Sequence, residues 1–444
     1  MNRDEPGIGM ITDRLNVLVV AHELSPIKGS ECAEGWNIVT RLAKYHNVTV
    51  IYASGSQFGK NSYVDAVNDF IQTNGSVKGL TFVNIDRPRV TRILASINKR
   101  FKALGSIGLP VLYYVGYKFW HKAAYDEAKR LHELNKFHVA HQLTQITFRE
   151  PGYVWKLGIP FFWGPTGGTS VLPIKFYSLL SKTSILLEIV RTLSNVYQFN
   201  FNRRVINANK KASVIYAFSE HDVNKFSKRA KGKIKVMLDA GTYENVIQLN
   251  DHREIVSKPK LLWCGQLSDR KAPSILLKAL ALDSRTKDLI DVIIIGSGPL
   301  KEAMQKLALN LGLNNIAWIE RVSHDEIFKL MEQADFLVHT SIREATTNVI
   351  PEALSTGLPI ICHDVNGMSL AVNETCGIKV PFVSPETSIL GFHNAILKLI
   401  TDKNYLIELK KGARTRSVEI SWDNMVQSIS NDYIESVRKI DNQS

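Results

Sequence analysis

Two carboxylates eight positions apart, Glu344 and Glu352, stand in the segment of the sequence richest in potential chemistry, HTSIREATTNVIPEALSTGLPIICHD at 339–364. An apolar run ends in Ser341, Glu344 follows in a loop, and EALSTG leads to a glycine stop and a further apolar run. Pro351 is tolerated only in a first helical turn, so the pattern predicts a helix starting near 348–350 that carries Glu352. Eight helical residues span ~12 Å, more than the ~5–9.5 Å between the two carboxyl groups of a glycosidase. The pair is therefore suited to gripping two hydroxyl-bearing parts of one extended ligand. Between them the helix N-terminus offers free N–H groups and suits a phosphate. Sugar hydroxyls, a diphosphate and ribose hydroxyls in a row describe a nucleotide sugar. On spacing alone, a solvated loop carboxylate and a first-turn dipole partner explain the two residues as well.

Four further segments carry candidate residues. WCGQLSDRKAP (263–273) sets Gly265, Gln266, Arg270 and Lys271 after an apolar run, and its cations equally fit an exposed helical turn. GSGP (296–299) is a glycine turn with Gly296 and Gly298, but a dinucleotide fingerprint needs a third glycine where Lys301 stands. In HELSPIKGSECAEGW (22–36), Gly29 and the amides from Ser30 onward lead into a helix and could cradle a phosphate. His141 closes FHVAH, and WGPTGG (163–168) is a glycine-rich turn.

The elements that must position these residues alternate. NVLVVA (16–21), NVTVIYAS (47–54), FHVAHQL (137–143), PFFWGPT (160–166) and SVIYAFS (213–219) read as short apolar strands separated by segments of helical spacing. After the polar stretch 248–260 a second series follows: KLLWCGQL, DVIIIGSGP, NIAWIERV, DFLVHTS and LPIICHD, starting at 260, 291, 315, 335 and 358. The fold class expected is α/β, two tandem doubly wound Rossmann-like domains facing a cleft. The divisions expected are an acceptor-side domain at 1–240, a nucleotide-sugar-binding domain at 241–420, and a terminal helix at 421–444 that packs back on the first domain. Ligands of open parallel sheets bind beyond the carboxyl ends of the strands, so the cleft is where chemistry is expected.

With its flanking residues, the 339–364 segment resembles the E-x7-E motif of retaining glycosyltransferases of family 4, which adopt the GT-B fold; the likeness extends over most of 16–415. The resemblance implies that Glu352 holds the donor ribose, that Glu344 lies by the hydroxyls of the donor sugar, and that Ala345, Thr346, Thr347 and Asn348 approach sugar and diphosphate with their backbone. The family's usual loop has glycines where Ala345 and Thr347 stand. Lys271 falls on the lysine of the family's G-R-L-x-x-x-K pattern, which neutralises the leaving diphosphate. Gln266 replaces its arginine, and Arg270 is the neighbouring cation that could supply the charge. Gly265, Gly296 and Gly298 would line the nucleotide side, and Arg321 and Val322 lie where backbone groups hold the base. Gly29 and Ser30 fall on the phosphate or acceptor loop, and His141 on a position where the family often has an active-site histidine.

The implied function is a retaining glycosyltransferase that takes a nucleotide sugar as co-substrate and a saccharide, lipid- or diphosphate-linked, as acceptor in glycan synthesis. A sugar-nucleotide-binding scaffold of the same fold is the alternative. No cofactor or metal is expected, since no D-x-D occurs. Composition is that of a globular chain, with 45% hydrophobic residues, and excludes disordered and collagen-like classes. Four cysteines without a C-x-x-C pair fit a reducing cytoplasm, and the first residues read as neither signal peptide nor membrane span. The net charge of +13 is concentrated at 1–250, which holds 33 basic and 18 acidic side chains. Segment 87–130, with 10 basic and 2 acidic residues plus Tyr113 and Trp120, is expected to meet an anionic membrane surface, with a buried helix as the alternative. No nucleic-acid-binding signature accompanies the charge.

Overall fold

A computed structural model of the chain describes residues 14–56, 62–101, 108–243, 258–320 and 322–442. Among these residues two parallel sheets form. In the first, β1 (Asn16–Ala21), β2 (Asn47–Ala53), β3 (Leu80–Ile85), β4 (Val139–Thr144), β5 (Phe161–Thr166), β6 (Val214–Ala217) and β7 (Lys233–Val236) lie in the order β3-β2-β1-β4-β5-β6-β7. In the second, β8 (Lys260–Cys264), β9 (Asp291–Ile295), β10 (Ile316–Ile319), β11 (Phe336–His339), β12 (Ile360–His363) and β13 (Gly377–Val380) lie in the order β10-β9-β8-β11-β12-β13. Both are doubly wound. Central strands such as β1 and β4 are buried along nearly their whole length because helices cover both faces of a parallel sheet, even though β4 carries His141, Gln142 and Thr144.

In each sheet the strand order reverses once, between β1 and β4 and between β8 and β11. Connections leave such a pair in opposite directions, so a crevice opens at the carboxyl ends of those four strands. The segments that follow them are 22–30, 145–147, 265–272 and 340–348, which contain most of the candidate residues.

The domains are joined by more than the linker. Residues 172–180 leave the first domain and add Leu172 and Phe176 to the core of the second, where the Phe176 ring stacks on Phe382 at 4.3 Å. At the other crossing Thr242 and Ser421 form a parallel bridge, after which helix Trp422–Asp441 returns to the first domain. Asp423 takes Arg41 at 2.9 Å and Lys44 at 2.7 Å, and Asp432 accepts from Tyr216 at 2.9 Å.

That helix also settles the place of His141. The imidazole is fully buried in β4: Nε2 donates to the Gly164 carbonyl at 2.6 Å, and Nδ1 accepts from the Tyr433 hydroxyl at 2.5 Å. Burial pushes its pKa down to about 4, so it stays neutral. Both nitrogens are occupied inside the core, and His141 is a packing residue rather than an active-site histidine. The expectation for 87–130 is corrected in part as well. Trp120 and Tyr117, in helix Pro110–Asn135, are fully buried, and the Trp120 indole N–H donates to the Ile85 carbonyl at 3.2 Å. Trp120 therefore belongs to the core and not to a membrane-facing surface.

Replacing Tyr433 by alanine should remove a buried aromatic and orphan His141. A loss of about 3–5 kcal/mol is expected, seen as a fall in melting temperature of at least about 6 °C. An unchanged melting temperature would show that the helix is not part of the first domain's core.

Candidate active site

At the end of β8 the chain forms a tight turn, Asp269–Lys271, with Ala272 in the left-handed region at φ 44°. This turn is tied to the loop after β11 through its carbonyls: Ile342 N–H donates to the Arg270 carbonyl at 2.9 Å, and the Thr340 hydroxyl donates to the Lys271 carbonyl at 2.8 Å. The two loops thereby bring three charged groups together. Lys271 Nζ lies 2.7 Å from Glu344 Oε1, and Arg270 pairs with the same oxygen. The Lys271 side chain is 7% exposed and that of Arg270 is 37% exposed. Burial holds the Lys271 ammonium below the usual lysine range, and the Glu344 carboxylate works against that shift. The result is a preformed cationic pair around one carboxylate at the strand ends.

The neighbouring candidates divide into those at this centre and those that support it. Gln266 is exposed on the same loop as Gly265, and its side chain does not replace a cation. Gly296 and Gly298 have positive φ, and a Cβ on them would fall 1.8 Å from the Gly265 carbonyl oxygen and 2.3 Å from that of Leu267. The glycine turn is therefore packed under the 265–267 loop, and Leu267 N–H donates to the Ser297 carbonyl at 3.0 Å. Glu352 lies half-buried in the short helix Val349–Ser355, which starts where Pro351 predicts. Val322 packs on the apolar core, and Arg321 lies outside the described residues. Ala345, Thr347 and Asn348 are half-buried in the loop, where the Glu344 carbonyl accepts from the Asn366 amide at 2.8 Å.

The first domain faces this loop. A Cβ built on Gly29 would lie 3.8 Å from Asn348 Nδ2, so the two loops come within van der Waals reach. Thr346 N–H donates to Asp239 at 2.9 Å, which engages one of the amides expected to approach a phosphate. Ser30 adopts φ 58° without a side-chain cap, directly before helix Glu31–Tyr45. Beside it opens a cavity of about 370 Å³ lined by Glu23, Gly29, Glu31, Tyr113, Tyr114 and Thr147, among others.

Carboxylates dominate this side. Burial pushes Glu23 up, but His22, Tyr63 and Tyr117 outweigh it and hold the group at about 2. Tyr117 donates to it at 2.8 Å. Burial, with the charges of Glu23 and Asp239, pushes Glu31 up to about 8, and burial pushes Asp239 up to about 6 against the Thr346 hydrogen bonds. Sequence reasoning missed these three residues. It also missed the ion pair in which Arg343, from the loop of the second domain, reaches Glu188 in the first at 2.5 Å. A signal for that pair was present: Glu188 is the sole carboxylate between 151 and 219.

A carboxyl group with a raised folded pKa stabilises most at low pH and loses that contribution as pH rises through the folded value. Glu31 and Asp239 should therefore make the protein progressively less stable from about pH 4 to about pH 8. In Glu31→Gln the decline in melting temperature between pH 5 and 8 should be shallower than in the wild type; an identical pH slope would refute the assignment.

Residues 247–416 match the family model described as glycosyl transferases group 1. Among curated proteins, a D-inositol 3-phosphate glycosyltransferase of Streptomyces bingchenggensis is 31% identical over 188 residues, which cover 40% of this chain and 40% of that relative. The alignment thus spans about two fifths of the relative's length. Among solved structures, sucrose-phosphate synthase from Thermosynechococcus elongatus superposes with a TM-score of 0.61 at 15% identity, covering 97% of this chain and 100% of the other. Anabaena HepE in complex with UDP-glucose superposes with a TM-score of 0.52 at 15% identity, covering 94% and 99%. Residues 247–416 are thus similar to group 1 glycosyl transferases, and the two Rossmann-like domains share the GT-B fold of those solved structures.

Proposed function

We propose that this protein is a retaining, metal-independent glycosyltransferase of the E-x7-E type, using a nucleoside-diphosphate sugar and a saccharide acceptor carried on a lipid or diphosphate. Its role would be glycan or cell-surface polysaccharide synthesis at the cytoplasmic face of a membrane. The observation that carries this reading is the convergence of Arg270 and Lys271 on Glu344 at the switch point of the second domain, opposite the cavity of the first domain.

In this mechanism the bond from the anomeric carbon to the diphosphate oxygen breaks, and the acceptor oxygen bonds to the same face of that carbon. The acceptor proton passes to the departing diphosphate. Negative charge grows on the diphosphate, where Lys271 and Arg270 are already oriented, and the near-burial of Lys271 strengthens its field. Glu344 fixes both cations and faces the donor sugar hydroxyls, Glu352 accepts from the ribose, and the acceptor enters from the cavity at Glu31 and Tyr113. The HepE complex makes UDP-glucose a first donor to try.

The direct test is a thermal-shift screen against nucleoside-diphosphate sugars, with bare nucleotides and NAD as controls, followed by turnover of the donor that binds. Binding and turnover are expected; binding without turnover would favour the scaffold reading, consistent with exposed Gln266 in place of the family's arginine. Lys271→Met should lower kcat by about 10²–10³ while changing donor Kd little, because its charge matters most in the transition state. Equal losses in both would refute that role. Glu352→Ala should weaken nucleotide binding about 10- to 100-fold, the worth of hydrogen bonds to a charged group; unchanged calorimetric affinity would remove the ribose assignment.

A further inference from the structure

Helix Lys182–Phe201 is amphipathic with its faces reversed. Its buried residues are Glu188, Asn195 and Phe199. Toward solvent it turns Leu186, Leu187, Ile189, Val190, Leu193, Val196, Tyr197 and Phe201, each between 42% and 67% exposed. A surface helix ordinarily buries its apolar stripe, and a contiguous exposed patch of this kind marks an interaction surface. The inner face has a reason to be polar. Glu188 pairs with Arg191 and Arg343, and Asn195 accepts from Arg149 and donates to the Gly168 carbonyl at 3.0 Å. The outer face has no such account within the fold.

Charge narrows what covers it. Between 151 and 219 Glu188 is the sole carboxylate, and it is fully buried. Lys175 and Lys182 at one end of the helix, and Arg203, Lys210 and Lys211 beyond the other, are exposed. In a two-fold dimer the same patch faces itself, which would set these cations against one another. A lipid surface with anionic head groups supplies the apolar layer and the counter-charge together. A helix of 20 residues, about 30 Å long, held to the protein along its polar side, can lie in such an interface with its apolar side immersed.

We infer that the outward face of helix Lys182–Phe201 is a docking surface for an anionic lipid bilayer. This surface differs from the 87–130 segment, whose Trp120 is core, and the inference does not depend on the transferase reading. It does bear on it. The start of the helix is bound to the turn that holds Arg270 and Lys271, since the Ser184 hydroxyl donates to Asp269 at 2.8 Å and Ser181 N–H donates to the same carboxylate oxygen at 3.0 Å. One turn further on, Glu188 holds Arg343, next to Glu344. Docking by this face would place the cleft at the lipid surface, where a lipid-linked acceptor is found.

The test is flotation of the full chain with vesicles of phosphatidylcholine alone and with 30% phosphatidylglycerol, a composition chosen as roughly that of an anionic membrane. The wild type should float with the anionic vesicles, and less so at high salt. The double variant Leu193→Glu, Tyr197→Glu, both outward-facing, should lose at least about fivefold of the bound fraction with an unchanged melting temperature. A second variant, Lys175→Gln, Lys182→Gln, Arg203→Gln, should lose binding to anionic vesicles without touching the apolar face. No flotation by the wild type would overturn the inference. So would flotation unaffected by either variant but abolished by Arg89→Gln, Arg92→Gln, which would move the contact to another helix. A wild-type dimer that the Leu193→Glu, Tyr197→Glu variant dissociates, without vesicle binding, would assign the face to a second copy instead.

Discussion

Lys271 is almost out of reach of water, and an ammonium in that position needs an anion beside it. The structure meets this requirement with Glu344, and nearly everything about the cleft follows from bringing the two together. Lys271 ends a turn after β8 and Glu344 sits in the loop after β11, so the strands have to be neighbours, as they are at the point where the sheet order reverses. The turn is kept tight by carbonyls that accept from Thr340, Ser341 and Ile342. The glycine turn at 296–298 supports it from below, with no room for side chains. Arg270 adds a second, more accessible cation to the same carboxylate. An anionic ligand that displaces part of this pairing finds its counter-charges already aligned.

The same loop is where the two domains communicate. Thr346 leans on Asp239 and Arg343 on Glu188, so the second domain's central loop is held by two carboxylates from outside that domain. Glu188 lies on the helix that shows its apolar side to solvent, and Asp269 anchors the beginning of that helix. Surface, domain contact and charged centre are therefore separated by single side chains. The first domain contributes a wall of carboxyl groups and phenols, in which burial holds Glu31 largely protonated, in contrast to the cations opposite.

Much of this was legible in the sequence, and the parts that were not share causes. Central strands announce themselves as continuous apolar runs because both faces are covered. The strands missed, β3, β7 and β13, are all at sheet edges, where LTFVNI, KIKV and GIKV mix polar residues with apolar ones and have one neighbour instead of two. Glu344, Arg270 and Lys271 were readable from their motifs, and the structure brings them within bonding distance. His141 was misread because a strand-end histidine looks the same in sequence whether it faces a ligand or Tyr433, nearly three hundred positions away. Trp120 was misread because a basic, aromatic helix does not reveal which side its aromatics occupy. Glu31 and Asp239 gave no sign, since their raised pKa values arise from burial by distant segments.

The return of helix Trp422–Asp441 to the first domain has a consequence for the order of events during synthesis. The seven strands of the first sheet are made long before this helix, yet Tyr433 fills the space beside His141 and Phe162, and Asp432 answers Tyr216 and Lys235. A nascent chain that has just completed β7 therefore holds a sheet with an open apolar seam and a buried histidine lacking one partner. The second domain is translated in full before that seam can close. The domain that begins first is finished last, and the stretch in between is when the chain most needs protection from its own exposed core.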